Sequence, residues 1–288
     1  MNKEEIMKKY EVEGHAESYL PDGKEWKLIW HDEFDGTELD TSKWSFRTNY
    51  WGRKSNTYTT EGVELDGNSN LKLHLLEKDG QYFSPYLQTG ANSFDQLILQ
   101  NESMQNPWEG EAGIWPLRKL EQPKFMHRYG YYEIRCKFQK QPGWWSAFWL
   151  QSPSIGTTVD AVYSGVEVDI MECFKRNGEV TSGNIYGGYG DDYKSDARIY
   201  YQIKESKDEY HYFGVDWSED GYIFYCDGKE TARSKGPVSK VEQFILVSTE
   251  CMGYRKGDLK TPSSELTQAK LPDCFTVDFV RVYDEMEK

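Results

Sequence analysis

The stretch Gly165-Val166-Glu167-Val168-Asp169-Ile170-Met171-Glu172-Cys173-Phe174 sets three acids into an apolar run, and few folds accept that. Its length and β-branched content read as a strand. Successive side chains of a regular strand alternate faces, so Glu167 and Asp169 share one face and Val166, Val168 and Ile170 the other. Glu172 then falls among the valines, where a lone carboxyl is costly to bury. One extra residue at Ile170-Met171, a β-bulge, returns Glu172 to the side of Glu167 and Asp169. The expectation is a two-faced sheet, with a core on one side and a row of carboxyls on the other.

Neighbouring carboxylates repel and do not stabilise a sheet. The repulsion splits proton affinities, so that one acid stays protonated beside an ionised one. Glycoside hydrolysis needs such a pair: one carboxylate attacks the anomeric carbon, and one carboxylic acid protonates the leaving oxygen. The plainer reading of the spacing is an acidic surface strand with no chemistry.

Period-two alternation recurs along the chain. Asn70-Leu71-Lys72-Leu73-His74-Leu75 shows it, and in 130–138 Tyr132, Ile134, Cys136 and Phe138 alternate with Glu133, Arg135 and Lys137. In Gly143-Trp144-Trp145-Ser146-Ala147-Phe148-Trp149-Leu150, Trp145, Ala147 and Trp149 share a face opposite Phe148 and Leu150. Two indoles flanking a small residue suit stacked sugar rings or, equally, a Trp-rich core. Further strands are expected over 181–189, 210–217, 222–225, 244–249 and 277–283, with a hairpin turn at Asp227-Gly228. Residues 1–24 read as a short helix or frayed N-terminal arm. With no linker in sight, 25–288 are expected to form one all-β antiparallel sandwich domain. The polar, poorly periodic stretch 92–122, which holds Trp108 and Trp115, reads as an insertion against a binding cleft.

Composition narrows the partners. Asp and Glu outnumber Lys and Arg by 48 to 34, a net charge of −14, which disfavours nucleic acid and anionic membrane surfaces. No run is apolar enough to span a bilayer. The charged start Met1-Asn2-Lys3-Glu4-Glu5 is no signal peptide, so a cytoplasmic location is expected if the chain is full length, and a secreted one if it is a processed form. Five cysteines without CxxC spacing argue against a disulfide framework or a zinc site; Cys136, Cys173 and Cys226 read as small core residues. The five histidines show no metal-ligand spacing, and no catalytic metal or cofactor is expected.

Taken together, these motifs resemble glycoside hydrolase family 16, of the laminarinase and lichenase type, over about 26–283. The Glu-x-Asp-x-x-Glu run at Glu167, Asp169 and Glu172 matches the bulged form of the family signature. In the family's order stand Trp30-His31-Asp32-Glu33-Phe34-Asp35-Gly36, the strand from Tyr129, and Gly143 with Trp145, Ala147, Phe148 and Trp149. Trp217 with Tyr225-Cys226-Asp227-Gly228 and the closing Val277-Asp278-Phe279-Val280-Arg281-Val282-Tyr283 complete it.

The resemblance implies a jelly-roll, concanavalin-like sandwich with a concave open cleft. It implies a monomeric, retaining endo-hydrolase of a polysaccharide or oligosaccharide, with β-1,3- or mixed β-1,3/1,4-glucan foremost. Glu167 would be the nucleophile, Glu172 the acid/base, and Asp169 the residue tuning the nucleophile. Trp145 and Trp149 would stack on sugars, and Trp51, Asn184 and Tyr186 fall at substrate-side positions. The sequence departs from the laminarinase pattern there: Arg53-Lys54-Ser55 follows Trp51-Gly52, Tyr186 stands where a His is common, and 92–122 looks inserted. A β-galactan hydrolase of the agarase or porphyranase type, a transglycosylase, and a non-catalytic carbohydrate binder therefore stay open. Family members often hold a structural Ca²⁺ on the convex face, and Glu33 and Asp278 are the acids in the matching motifs.

Overall fold

The computed structural model describes residues 8–50, 53–54, 56–91, 120–174, 178–189, 193–204, 206–254 and 260–286. Two large, mostly antiparallel sheets pack face to face as a jelly-roll sandwich. The first runs in the order Leu76–Lys78, Gln81–Gln88, Phe244–Cys251, Trp144–Gln151, Glu167–Cys173, Glu179–Tyr186, Lys194–Gln202. The second runs Lys229–Ser234, Gly221–Cys226, His211–Ser218, Gly130–Lys137, Cys274–Glu285, Leu71–His74, Val63–Leu65. Trp26–Asp32 pairs with the far half of Cys274–Glu285.

The expected alternation places the core. Tyr132, Ile134 and Cys136 from one sheet meet Phe148, Leu150, Val166, Val168 and Ile170 from the other, all fully buried. Each such aliphatic or aromatic side chain contributes about 1.5–3 kcal/mol when withdrawn from water. Cys136, Cys173 and Cys226 are free thiols buried in this core.

The helical reading of the N-terminal arm does not hold over residues 8–20. Lys8–Tyr10 pairs antiparallel with Ser18–Leu20 as a hairpin lying on the outer face of the second sheet. Leu20 and Trp26 are buried there with Tyr131 and Tyr283. Polar bonds fix the docking. Arg281, wholly buried, donates to both Glu33 oxygens at 2.9 and 2.7 Å, to Ala16 O at 2.9 Å and to Ser18 Oγ at 2.8 Å. An arm that supplies acceptors to a buried guanidinium cannot fray without leaving that charge undersolvated.

Glu133 lies beneath the same hairpin and accepts from the Tyr19 N–H at 2.9 Å. Burial pushes its carboxyl up to about 8, outweighing Ser18, the Tyr19 amide and Arg281, which pull it down. A carboxyl with a raised folded value binds more protons folded than unfolded, so its contribution to stability falls as pH rises from 4.5 to about 8. We expect Glu133→Gln to match the native melting temperature near pH 4. It should exceed the native value by several degrees at pH 8, in thermal unfolding followed across that range.

Candidate active site

The acid strand Glu167–Cys173 is central in its sheet, between Trp144–Gln151 and Glu179–Tyr186. Asp169 pairs with Gly183 and Glu172 with Thr181, so three steps on the acid strand meet two on its neighbour. On the other side Trp149 pairs with Asp169 and Phe148 with Met171, which skips Ile170. This is a bulge at Ile170-Met171. Both of those side chains are buried in the main core. Glu167, Asp169 and Glu172 therefore all line one cleft of about 290 Å³ on the outer face of the sheet.

The cleft wall repeats the alternation. Trp145, Ala147, Trp149 and Gln151 line it, while Phe148 and Leu150 are buried behind. Ala147 and Ser248 leave a gap between larger groups. Trp149 donates its Nε1–H to Ser248 Oγ at 3.1 Å, and the Trp145 ring lies 5.2 Å from Phe174. Tyr58 and Tyr86 stand at one end of the wall, Tyr193 and Arg198 at the other.

The acids have defined neighbours. Gln151 Nε2 donates to Glu167 Oε2 at 3.0 Å, and the Tyr189 hydroxyl donates to the same oxygen. Asp169 is 5% exposed, under the Trp149 side of the strand. Arg198 Nη2 lies 3.8 Å from Glu172 Oε2, a charge contact rather than a hydrogen bond. Burial works against the Arg198 cation, but Tyr200 and the Glu172 and Asp169 carboxylates outweigh it and hold its pKa above the ordinary value.

An open, aromatic-walled trough with a carboxyl row across its floor is what the signature motif implied, and known proteins share the fold. The catalytic domain of an endo-1,3-β-glucanase (laminarinase) from Thermotoga petrophila RKU-1 superimposes with a TM-score of 0.64 at 20% identity, covering 92% of this chain and 100% of that one. Glucan endo-1,3-beta-glucosidase A1 of Niallia circulans is 27% identical over 280 residues, 90% of this chain. Beta-porphyranase B of Phocaeicola plebeius is 25% identical over 303 residues, 91% of this chain and 86% of its own. The family model for Glycosyl hydrolases family 16 matches residues 119–252.

Over that segment the chain is similar to glycosyl hydrolase family 16. It spans 38% of the length of the Niallia relative.

Two expected contacts are corrected by the sheet. Asn184 pairs with Val168, a core residue, and is itself buried, while Tyr186 packs against the core. Their neighbour Ile185, opposite Glu167, lines the cleft instead. The alternation read from Glu167 across to the next strand would have given this. Trp51 and residues 92–119 of the expected insertion 92–122 lie outside the described residues, as do the side chains of Arg53 and Lys54.

Glu33 and Asp278 do not fit a calcium ion. Glu33 is held by both arms of Arg281, and Asp278 accepts from Arg135 Nη1 at 2.7 Å. Among the described residues no group of three or more His, Cys, Asp or Glu gathers as a metal site.

The sequence reading missed Arg47, Gln151, Tyr189, Arg198 and Glu250, all on the cleft. Gln151 was within reach, two residues past Trp149 on the same face. Arg47 sits outside the strands and carries no periodic signal, while Tyr189 ends the expected strand 181–189 but lies beyond the observed Glu179–Tyr186.

Trp145, half-buried with a face on the trough, is placed to stack on a sugar. Trp145→Ala should weaken oligosaccharide binding about 3- to 10-fold in calorimetric titration of an inactive Glu172→Gln background. Unchanged affinity would return the indole to a purely packing role.

Proposed function

We propose that this chain is a retaining, endo-acting hydrolase of β-glucan, with β-1,3 or mixed β-1,3/1,4 linkages as its target. The observation that carries the reading is the set of three carboxyls brought to one face by the bulge, on the floor of a trough that crosses the sheet from Tyr58 to Arg198. A trough open across the sheet accepts the middle of a polymer, which supports endo action. The indoles of Trp145 and Trp149 offer apolar faces for flat sugar rings.

In the proposed double displacement, Glu167 attacks the anomeric carbon as the glycosidic C–O bond breaks. Glu172 gives its proton to the leaving oxygen. Water then attacks the same carbon and Glu172 takes its proton. The bond to Glu167 breaks and the electron pair returns to its carboxylate. Asp169, beside them on the same face, sustains the charge separation between the two glutamates. Arg198, near Glu172, offsets negative charge when both glutamates are ionised.

A second reading is favoured by one observation: the partly exposed guanidinium of Arg198 lines the trough of an otherwise acidic protein. A cation there suits a sulfated β-galactan, and a relative of similar length is named a porphyranase.

Reducing-sugar release from laminarin, lichenan, agarose and porphyran separates the two readings. Release from the first pair supports the glucanase, and release from porphyran alone supports the galactanase. Glu167→Gln and Glu172→Gln should each lower turnover of the preferred polymer by at least about 10³-fold. Near-normal turnover in either variant removes that residue from the chemistry, and a purely binding protein would show no release at all.

A further inference from the structure

Glu167 Oε2 is the focus of a chain of contacts built from separate parts of the sequence. Gln151 Nε2 donates to it at 3.0 Å, the Tyr189 hydroxyl donates to it, and the same Gln151 amide touches the Tyr189 oxygen. The opposite end of that amide faces a cation: Arg47 Nη1 donates to Gln151 Oε1 at 3.4 Å. A guanidinium has no acceptor, so its contact fixes which end of the amide is oxygen and turns the NH₂ toward Glu167.

Arg47 is itself fixed. It is 5% exposed, its cation lies 5.2 Å from the Tyr86 ring centre and 5.8 Å from that of Trp149, and its backbone N–H donates to Tyr86 O at 2.8 Å. Tyr189 is carried in by Gly187 and Gly188, with φ of 84° and 85°, a left-handed pair that other residues adopt at a cost. The phenol is buried. Burial first, then the charge and hydrogen bond of Glu167, push its pKa well above 10, so it remains a donor at any working pH.

We propose that Gln151 and Tyr189, braced by Arg47, are positioning residues that clamp Oε2 of Glu167, assign the attack to Oε1, and improve Glu167 as a leaving group in the second half-reaction. The proposal rests on the double-displacement reading given above. Its logic is differential stabilisation. Donors to a carboxylate bind the ionised form more strongly than an ester. In the glycosyl-enzyme, Oε2 is an ester carbonyl and the two donors are weakly used. As water attacks and the bond from carbon to Oε1 breaks, negative charge returns to the carboxylate and both hydrogen bonds strengthen. The clamp therefore assists hydrolysis of the intermediate more than its formation. It also holds Glu167 ionised to lower pH.

The test uses Tyr189→Phe and Gln151→Met, which keep shape and remove one donor each. The probe is an aryl glycoside of the preferred oligosaccharide with a dinitrophenyl leaving group, which makes the first step fast. Three results are expected. kcat falls about 10- to 100-fold, the loss of one hydrogen bond to a charged group, and KM falls with it. The glycosyl-enzyme accumulates, seen as added mass on the peptide containing Glu167 after acid quench. The acid limb of the kcat/KM profile moves to higher pH.

Arg47→Met should reproduce the same pattern more weakly. A variant with native melting temperature, an unmoved acid limb, equal losses in kcat and kcat/KM and no trapped species would overturn the clamp and leave a packing role. Added mass on a different residue in the variants, or a first product of inverted configuration from the wild-type enzyme, would overturn the double displacement beneath it and the clamp with it.

Discussion

A one-residue slip in register governs this molecule. In a regular strand either Glu172 enters the core or the acids lose their common face. Burying an unpaired carboxylate costs more than the core can return from one side chain. At Ile170-Met171 the bulge puts two consecutive apolar residues into the core and turns the next residue outward. The two buried side chains together contribute about 3–6 kcal/mol, enough to hold a locally disrupted ladder in place. The same packing that stabilises the sheet thus aims the acids, and the site needs no loop to assemble its floor.

The rest of the trough follows from that floor. The neighbouring strands present small residues, Ala147, Gly183 and Ser248, around the acids and large rings further along. Gly183 leaves no room for a side chain: a Cβ there would stand 2.9 Å from the backbone of Arg198. Arg198 can therefore approach Asp169 and Glu172 from the edge strand.

How much of this was legible follows the alternation. The core faces, the places of most strands and the bulge could be read because a period of two assigns every residue to a face once one residue is fixed. Trp145 and Trp149 followed from the same rule. Asn184 and Tyr186 were misplaced because they were assigned by position in a motif rather than by the face their strand presents. The N-terminal hairpin reads as a helix or frayed arm in the sequence because its partners, Glu133 and Arg281, are far away along the chain. Arg47 had no signal at all, and Tyr189 stood at the end of an expected strand that in the fold stops at Tyr186; both reach Gln151 and Glu167 from outside the strands, and only the folded chain brings them there.

The arginines stand at different distances from the carboxylates of the two sheets. On the convex side Arg281 grips Glu33 through two hydrogen bonds below 3 Å, and Arg135 holds Asp278 at 2.7 Å. Such pairs fix ionisation and geometry, and they remove both acids from any other task. In the trough the guanidinium groups stand off: Arg198 is 3.8 Å from Glu172, and Arg47 acts on Glu167 through the Gln151 amide. A close bidentate pair there would hold Glu172 ionised and keep it from carrying a proton. An absent cation would leave three carboxyls to repel one another unopposed. The spacing lies between those limits, as the proposed acid/base role of Glu172 requires: near enough to offset the charge, and too far for a hydrogen bond.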